Sequence, residues 1–554
     1  MNRASLYFHT LRHLKWVQIY GRLHYRLHQP KLDLRPAPSV RGSLKIWVIP
    51  SRRLPSLLSP TSCRFLNEEH AIADPQIWND PAREKLWLYN LHYFDDLNAV
   101  QATERSAWHR ALIARWIAEN PPAIGVGWEP YPLSLRIVNW IKWASSGQDM
   151  EAAWLQSLAI QTRFLSQRLE QHLLGNHLFA NAKALVFAGL FFAGEEAQRW
   201  LNTGLKILAR EIPEQILADG GQFERSTMYH ALALEDVLDL LNITRIHADA
   251  IPPHWHPFVA SWADLAERMQ RWLAVMCHPD GEISFFNDAA IGIAPTLAEL
   301  ERYGRDLGVV ASSESGDNMV HLAESGYIRV HEHELVALID VAPIGPDYLP
   351  GHAHADTLSF ELSLFGQRVF VNSGTSCYGK STERLRQRGT AAHNTVVVDG
   401  QDSSEVWSGF RVARRARPFD LDINKVGGQL HISCAHDGYK RLGGQAVHHR
   451  TWEFGEKSLV VEDRIAGTYK QATARFHLHP AVQVEEFLDA DGAAAVVLKL
   501  PHGQKMLLSV TGGRLRQEAA VWHPEFGRDE ATLCLVADFA DSVLCTNIRW
   551  DSAV

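Results

Sequence analysis

Two histidines stand two residues apart in the short sequence GHAHAD, which spans residues 351–356 and precedes a run of alternating apolar and polar residues. In an extended chain successive side chains point to opposite faces, so this spacing puts the imidazoles of His352 and His354 on one side. Asp356 follows at the same spacing. The pattern predicts part of a polar site; the alternative is that these side chains only satisfy a turn through hydrogen bonds.

A second polar cluster, ADGGQFERSTMYH at residues 218–230, combines a Gly-Gly turn with a predicted helix start. It holds Glu224, Arg225, Tyr229 and His230 within seven residues. Neighbouring cations favour a phenolate, so we expect the pKa of Tyr229 to fall below its free value of about 10. The alternative is that Glu224 and Ser226 cap the helix and Tyr229 packs in a core.

Two further clusters combine amide, imidazole and guanidinium groups. Asn176 and His177 begin a strongly apolar helical segment, GNHLFANAKALVFAGLFF, where the asparagine either binds a ligand or merely caps the helix. The loop RLRQRGTAAHN at residues 384–394 carries three arginines and ends in His-Asn before a predicted strand. Its charge suits an anion site, whereas a solvated charged loop is the alternative.

The bulk composition limits the class of protein. With 554 residues, 46% hydrophobic and 21% charged, the chain predicts two large globular domains. A net charge of -8 argues against sequence-independent nucleic-acid binding. No apolar run reaches about 18 residues, so no membrane span is expected. Basic residues interrupt the apolar ones of the first 30 positions, which argues against a secretory signal and predicts a cytoplasmic protein, with a periplasmic location as the alternative.

The periodicity of apolar residues changes along the chain. Residues 1–75 read as an N-terminal segment with a basic amphipathic helix, which we expect to pack on the main body or to touch a membrane surface, and a short strand KIWVIP. Residues 76–315 show helical periodicity with short connections, which predicts an all-helical array. Residues 316–554 switch to a period of two with Gly, Asp and Asn turns, which predicts an antiparallel sandwich. The expected class is therefore α+β multidomain.

Taken together, these motifs resemble those of the heparinase II/III-like polysaccharide lyases. The similarity runs from LWLYNLHYFDDLN through GWEPYPLSLRIVNW, GNHLFANAKAL and GGQFERSTMYH to GHAHADTLSFEL and AAHNTVVVDG, in that order. It is strongest to the subset that accompanies bacterial exopolysaccharide gene clusters. The resemblance implies an N-terminal incomplete (α/α) toroid followed by a C-terminal antiparallel β-sandwich.

The resemblance also assigns roles to individual residues. It implies catalytic roles for Asn176, which would neutralise a substrate carboxylate, and for His177, Tyr229 and His352. It implies one structural zinc held by residues that match His354 and His393. The third ligand of the relatives is acidic, but here it aligns with Asn372, a weaker zinc donor that puts the metal in question. The residues expected to contact substrate are Trp128, Glu129, Tyr131, Arg136, Glu224, Arg225, Arg388 and Asn394.

The implied reaction is β-elimination on an anionic, uronate-containing polysaccharide in a cleft between the two domains. Two other classes remain open. An inverting glycosidase needs two carboxyl groups about 6.5–9.5 Å apart. The candidates for such a pair are Glu129, Glu224, Asp288 and Asp356. A non-catalytic carbohydrate-binding protein would keep the cleft without turnover. The sequence leaves the oligomeric state open, with a homodimer through the N-terminal segment as one possibility.

Overall fold

The computed structural model describes residues 3–42, 45–310, 318–490 and 493–551. Helices dominate up to residue 306, and from residue 319 the chain consists mainly of antiparallel strands. The predicted change from helical to β structure is therefore confirmed. The predicted boundary between residues 315 and 316 falls among residues 311–317, outside the described residues. Within the described ranges, no helix is long and apolar enough to cross a membrane.

The N-terminal segment differs from its prediction in two ways. It has two helices, Arg3–Leu11 (α1) and Trp16–Leu27 (α2), where one was expected. The predicted strand KIWVIP is wrong, because the backbone of Val48 pairs with the side chain of Asn242 instead of another strand: the amide of Val48 donates to Asn242 Oδ1 at 3.3 Å and Asn242 Nδ2 donates to the carbonyl at 2.7 Å. A small antiparallel sheet follows, formed by Leu57–Ser59 (β1), Ser62–Phe65 (β2) and Glu68–Ala71 (β3).

A tryptophan-rich core organises the helical region. Its central helix is hydrophobic on all sides and almost wholly buried, as expected of a helix surrounded by others. The α-helices are Lys85–Tyr93 (α3), Ser106–Glu119 (α4), Pro130–Ser145 (α5), Ala152–Ser166 (α6), Gly175–Phe191 (α7), Glu195–Gln215 (α8), Thr227–Ile246 (α9), His256–Ala260 (α10), Trp262–Met276 (α11) and Leu297–Asp306 (α12). The central helix is α7, which packs against α5 and α8.

Three large sheets of the β region share one core. The rings of Phe360, Phe476 and Trp452 meet there from different sheets, with Phe360 6.3 Å from Phe476 and 6.5 Å from Trp452 between ring centroids. The first sheet contains Met319–Leu322 (β4), Tyr327–Glu332 (β5), Leu335–Asp340 (β6), Phe360–Leu364 (β7) and Gln367–Phe370 (β8), in that order.

After the first sheet the chain forms the helix Thr382–Arg388 (α13), two further sheets and a two-stranded ribbon. The strands after β8 are Val396–Val398 (β9), Val406–Trp407 (β10), Arg411–Val412 (β11), Pro418–Val426 (β12), Gln429–His436 (β13), Val447–Gly455 (β14), Ser458–Ala466 (β15), Ala472–His477 (β16), Gln483–Ala490 (β17), Ala493–Lys499 (β18), Lys505–Thr511 (β19), Arg514–Trp522 (β20), Glu530–Phe539 (β21) and Val543–Trp550 (β22). The eight-stranded sheet has the order β12-β13-β14-β15-β22-β19-β18-β17, and the four-stranded sheet has the order β20-β21-β16-β9. Strands β10 and β11 form the ribbon.

The helical and β regions are joined by an apolar seam and by buried hydrogen bonds. Met228 at the start of α9 and Phe285 after α11 pack with Val371 and Trp522 of the β region. The indole of Trp272 donates to Ser325 Oγ at 2.8 Å. These contacts bring the loop after α11 and the start of α9 against the GHAHAD segment.

Candidate active site

Asp288, in the loop between α11 and α12, connects three cationic or imidazole side chains of the β region. Its Oδ2 lies 2.8 Å from His352 Nδ1 and 2.6 Å from Arg384 Nη2, and its Oδ1 lies 2.8 Å from His354 Nε2. Burial opposes ionisation, but Arg384 and the hydrogen bonds from the two histidines hold the pKa of Asp288 well below its usual value. Asp288 is therefore a carboxylate that fixes both histidines.

The GHAHAD segment lies in turns rather than in the strand that the spacing suggested. Its two histidines nevertheless converge, because both contact the same carboxylate of Asp288. They differ in access: the His352 side chain is 15% exposed, whereas His354 is fully buried. The exposed edge of His352 thus marks the solvent-accessible side of the site, here called the cleft, and His354 supports the site from behind.

Tyr229 of α9 meets His352 across the junction of the two regions. Their ring centroids are 4.0 Å apart at an interplanar angle of 34°, and the Tyr229 hydroxyl lies 2.8 Å from that of Tyr378. Ser226 caps α9 by accepting the amide hydrogen of Tyr229 at 3.2 Å. A phenol, an imidazole and a second phenol therefore stand together, within reach of a single bound group.

The predicted lowering of the pKa of Tyr229 is wrong. Burial, followed by the influence of Tyr378 and Asp288, raises it well above 10. The two basic side chains that were expected to lower this pKa bind other groups. Arg225 Nε donates to the carbonyl of Ser325 at 2.8 Å, and His230 Nε2 lies 2.8 Å from the carbonyl oxygen of Met269. The Tyr229 side chain is therefore a neutral phenol at neutral pH.

Glu224 borders the same space from the helical side. Its Oε2 lies 3.8 Å from His352 Nε2, and its Oε1 accepts a hydrogen bond from Gln222 Nε2 at 3.1 Å. Burial raises the pKa of Glu224, although the neighbouring His352 acts in the opposite direction. A Cβ built on Gly175 would lie 4.0 Å from Glu224 Oε1, so the start of α7 is adjacent.

Asn176 and His177 occupy this first turn of α7. Asn176 is half-buried, and no hydrogen bond joins its side-chain amide to another residue of the described ranges. The ring of His177 packs against that of Tyr131, with centroids 4.5 Å apart and an interplanar angle of 41°, and its Nδ1 lies 3.1 Å from Glu170 Oε1. Burial opposes a charged imidazole, but Glu170 and more distant carboxylates raise the pKa of His177 above 6.5. This turn thus presents an amide and an imidazole whose charged form Glu170 favours.

Two predicted substrate contacts of the helical region, Arg136 and Trp128, are corrected because these side chains are buried, and a third, Arg225, is half-buried. Arg136 is fully buried and donates to Gln161 Oε1 at 2.9 Å and to the carbonyls of His92 and Gly127. Trp128 packs between Trp116 and Phe164. Arg225 spans the junction, as its bond to Ser325 shows. These side chains support the cleft instead of lining it.

Two predicted contacts in the β region are corrected for the same reason. Arg388 is fully buried and donates through Nε and Nη2 to the carbonyl of Ala353, at 3.1 and 2.8 Å. Asn394 is also fully buried, and its side chain joins the carbonyl of Phe360 to the amide of His477. Both residues hold the GHAHAD segment and its neighbours in place. By contrast, Glu129 remains half-buried near the cleft, where Lys85 Nζ lies 2.8 Å from its Oε2.

Sequence reasoning missed several members of the site. The sequence motifs did not single out Tyr378 or Glu170. They included Asp288 only as a candidate carboxyl group of a glycosidase, and Arg384 only as part of a basic loop. Tyr378 follows β8 within GTSCYG, a segment bounded by glycines, and this turn-like composition was the available signal. Phe410, between β10 and β11, also borders the site, and its ring centroid lies 5.2 Å from that of Tyr378.

Comparison with known families covers both regions of the chain. Residues 77–303 match the family described as "Heparinase II/III N-terminus", and residues 314–551 match "Heparinase II/III-like, C-terminal". The chain belongs to the heparinase II/III-like family. The implied family membership is thus confirmed, and the site described above lies where the two matched regions meet.

Individual relatives of this heparinase II/III-like protein are distant. A heparin-sulfate lyase of Bacteroides stercoris is 25% identical over 357 residues, covering 61% of this chain and 50% of the relative. The FtsZ-localized protein C of Caulobacter vibrioides is 25% identical over 455 residues, covering 76% of this chain and 74% of that protein. A solved structure of heparinase III has a TM-score of 0.64 at 19% identity, covering 84% of this chain and 77% of that one, and shows a shared fold. The chain spans about half the length of the first of these relatives.

The predicted zinc ligands do not fit a zinc site. His354 Nδ1 lies 3.2 Å from His393 Nε2, but Asn372 Oδ1 accepts the amide hydrogen of Asn394 at 3.2 Å. Asp356, a carboxylate two residues after His354, accepts the amide hydrogen of Asn287 at 2.9 Å. In the part of the chain that the structure describes, no three His, Cys, Asp or Glu side chains are grouped to hold a metal. Structural zinc needs four such donors, which two imidazoles and an amide do not supply.

We therefore expect chelation to leave this heparinase II/III-like protein unchanged. Dialysis against a chelator should not alter its thermal unfolding midpoint, because the hydrogen bonds of His354 to Asp288 and His393 already satisfy both of its ring nitrogens. Elemental analysis before dialysis and calorimetry after it check the prediction. Stoichiometric zinc whose removal lowers the midpoint would contradict it.

The charge of His177 gives a second prediction. Nuclear magnetic resonance titration, with the signal assigned by its loss in His177→Gln, should report a pKa above 6.5. Glu170→Gln should lower that pKa, and Glu129→Gln, a weaker influence, should lower it less. Because the folded value is raised, protonation of His177 stabilises the fold below about pH 6.5, and this contribution is lost as the pH rises through the folded value. An unchanged titration in Glu170→Gln would refute the assignment.

Proposed function

We propose that this protein is a polysaccharide lyase that cleaves a uronic-acid-containing polysaccharide by β-elimination. The observation that carries the proposal is the contact of Tyr229 with His352 across the junction, backed by Tyr378 and Asp288. In this proposal the helices form the incomplete (α/α) toroid of the family, the strands form its β-sandwich, and substrate lies between them. Ligand sites commonly occupy such junctions.

The first requirement of the reaction is to offset the charge of the uronate carboxylate, which makes the proton at C5 poorly acidic. Asn176 and His177 suit this task, because one helical turn holds a free amide and an imidazole whose protonation neighbouring carboxylates favour. Donors that bind the enolate-like transition state more tightly than the ground state lower the barrier. The first turn of α7 would therefore hold the carboxylate.

The second requirement is transfer of two protons. Asp288 accepts from His352 Nδ1, and this leaves a lone pair on Nε2 that is able to remove the C5 proton. Tyr229 is a neutral phenol and can donate its proton to the O4 oxygen as the glycosidic bond breaks. The electron pair of the C5–H bond then forms the C4–C5 double bond. His352 thus acts as general base and Tyr229 as general acid.

The substrate class is also part of the proposal. The names of several relatives are those of heparin-sulfate lyases, which act on an anionic glycan, and the sequence motifs are most similar to those of the exopolysaccharide-associated subset. We therefore propose an anionic exopolysaccharide as substrate. The half-buried Tyr131, which packs against His177, offers an aromatic face for one of its sugar rings.

Screening uronate-containing polysaccharides for ultraviolet absorbance of the unsaturated product tests the proposal. We expect absorbance to rise together with new reducing ends. New reducing ends without absorbance would indicate hydrolysis. Glycan binding with neither signal would indicate a binding protein.

The hydrolase alternative has weaker support from the carboxyl groups. Asp288 is fully buried and bound to Arg384 and two histidines, and Asp356 is buried and hydrogen-bonded to a backbone amide. The non-catalytic alternative is favoured by one observation: the chain aligns over 76% of its length with a protein named for its localisation to FtsZ. The Tyr229–His352 contact favours the lyase.

A further inference from the structure

Helix α2 carries a stripe of large apolar side chains on its outer side. Trp16, Ile19, Tyr20, Leu23 and Leu27 are 81%, 49%, 60%, 61% and 72% exposed. Their spacing of three and four residues places them on one helical face, here called the apolar stripe. Side chains of this size are ordinarily buried, so a contiguous exposed stripe marks an interaction surface.

The opposite face of α2 attaches the helix to the protein body. Val17 packs against the helical core, and Gln18 Nε2 donates to the carbonyl of Tyr348 at 3.2 Å. Gly21 allows close approach to His172, whose ring lies 4.3 Å from that of Tyr25. On the helical wheel the body-facing positions lie on the side opposite the apolar stripe, so the stripe points away from the protein.

Positive charge surrounds this surface on a chain whose net charge is -8. The first 32 residues contain Arg and Lys but no Asp or Glu. Arg22 and Arg26 flank the apolar stripe, are exposed, and form no ion pair with the described residues. Beside α1, Arg12 and His13 line a basic cavity of about 290 Å³ together with Ala413, Arg414, Arg415, Arg417, Asp437, Gly438, Lys440 and Arg441. Within it, Arg415 has two buried nitrogens, Nε and Nη2, without a hydrogen-bond partner among the described residues.

We propose that α1 and α2 bind the surface of an anionic lipid bilayer, with the apolar stripe inserted at the level of the headgroups. A helix with an aromatic and aliphatic face bordered by arginines is typical of interfacial membrane binding. Anionic headgroups complement the excess of cations. A symmetric pairing of two copies would instead set Arg22 and Arg26 against themselves, because a two-fold interface uses the same patch twice.

Sedimentation of the full chain with large vesicles tests the proposal. We expect binding to vesicles of three parts phosphatidylcholine and one part phosphatidylglycerol, and little binding to pure phosphatidylcholine. Leu23→Glu should weaken binding about tenfold, since it removes an inserted side chain and adds a repelled charge. Arg22→Gln with Arg26→Gln should weaken binding to the anionic vesicles and leave the residual binding to neutral vesicles unchanged.

Val426→Glu is the matched control, because Val426 is 57% exposed on β12 and lies outside α1 and α2. It should bind vesicles as the unaltered protein does, and all variants should keep the same unfolding midpoint. Equal binding of Leu23→Glu and the unaltered protein overturns the proposal. So does a dimer that Leu23→Glu converts to monomer without any vesicle binding. Lyase activity plays no part in this test.

Discussion

Tyr229→Phe is expected to lower kcat for β-elimination by about 100- to 10,000-fold, the contribution of a positioned proton donor or acceptor. The substitution removes only the hydroxyl, so the ring keeps its place beside His352, at 4.0 Å, and within the apolar seam. The proton that Tyr229 would supply to O4 then has no source at that position. Steady-state kinetics followed by product absorbance measure the effect, and circular dichroism melting shows that the fold is retained.

Tyr378→Phe is the matched control for this prediction. It removes a hydroxyl 2.8 Å from that of Tyr229 but leaves the proton donor in place. Loss of one hydrogen bond is worth about 1 kcal/mol, so we expect a decrease in kcat of about tenfold or less. Comparable losses in the two variants would mean that the pair acts as a unit. Retention of most of the activity in Tyr229→Phe would remove this residue from the mechanism.

Asp288→Asn is expected to lower the free energy of unfolding by about 3–5 kcal/mol, the usual cost of removing one partner of a buried ion pair. Arg384 is fully buried and would lose its counter-charge. His352 and His354 would each lose the carboxylate that orients them, at 2.8 Å in both cases. We therefore also expect kcat per folded molecule to fall, because His352 Nε2 would no longer be held as a base. Denaturant unfolding and kinetics measure the two effects.

Asp463→Asn separates stability from catalysis. Asp463 is a buried carboxylate of β15 that pairs with Arg450 at 2.7 Å and with His448 at 2.7 Å, without contact to the cleft residues. Its substitution should reduce stability by a similar amount and leave kcat per folded molecule unchanged. If Asp288→Asn behaves in the same way as Asp463→Asn, Asp288 is purely structural and the role of His352 as a base is wrong.

The sequence by itself determined the order of the regions and the motifs that meet at the site. Apolar periodicity is a local property, so the change from a helical period to a period of two was visible without coordinates. The motifs containing Tyr229 and His352 were also readable, because each is a short contiguous stretch. The prediction of a strand at KIWVIP was wrong because it rested on local propensity alone. The backbone of Val48 instead pairs with the side chain of Asn242, which is distant in sequence.

Only the tertiary structure decided which polar side chains face the cleft and in which protonation state. Arg136, Arg388 and Asn394 carry suitable groups, yet each is fully buried and bonded to the backbone. Asp288 became the centre of the site through partners 64 and 96 residues away in sequence, His352 and Arg384. The pKa of Tyr229 moved opposite to the prediction because burial and nearby side chains, rather than sequence neighbours, set the cost of its charge. The sequence shows which chemical groups are available, whereas desolvation and long-range packing determine which of them form the site.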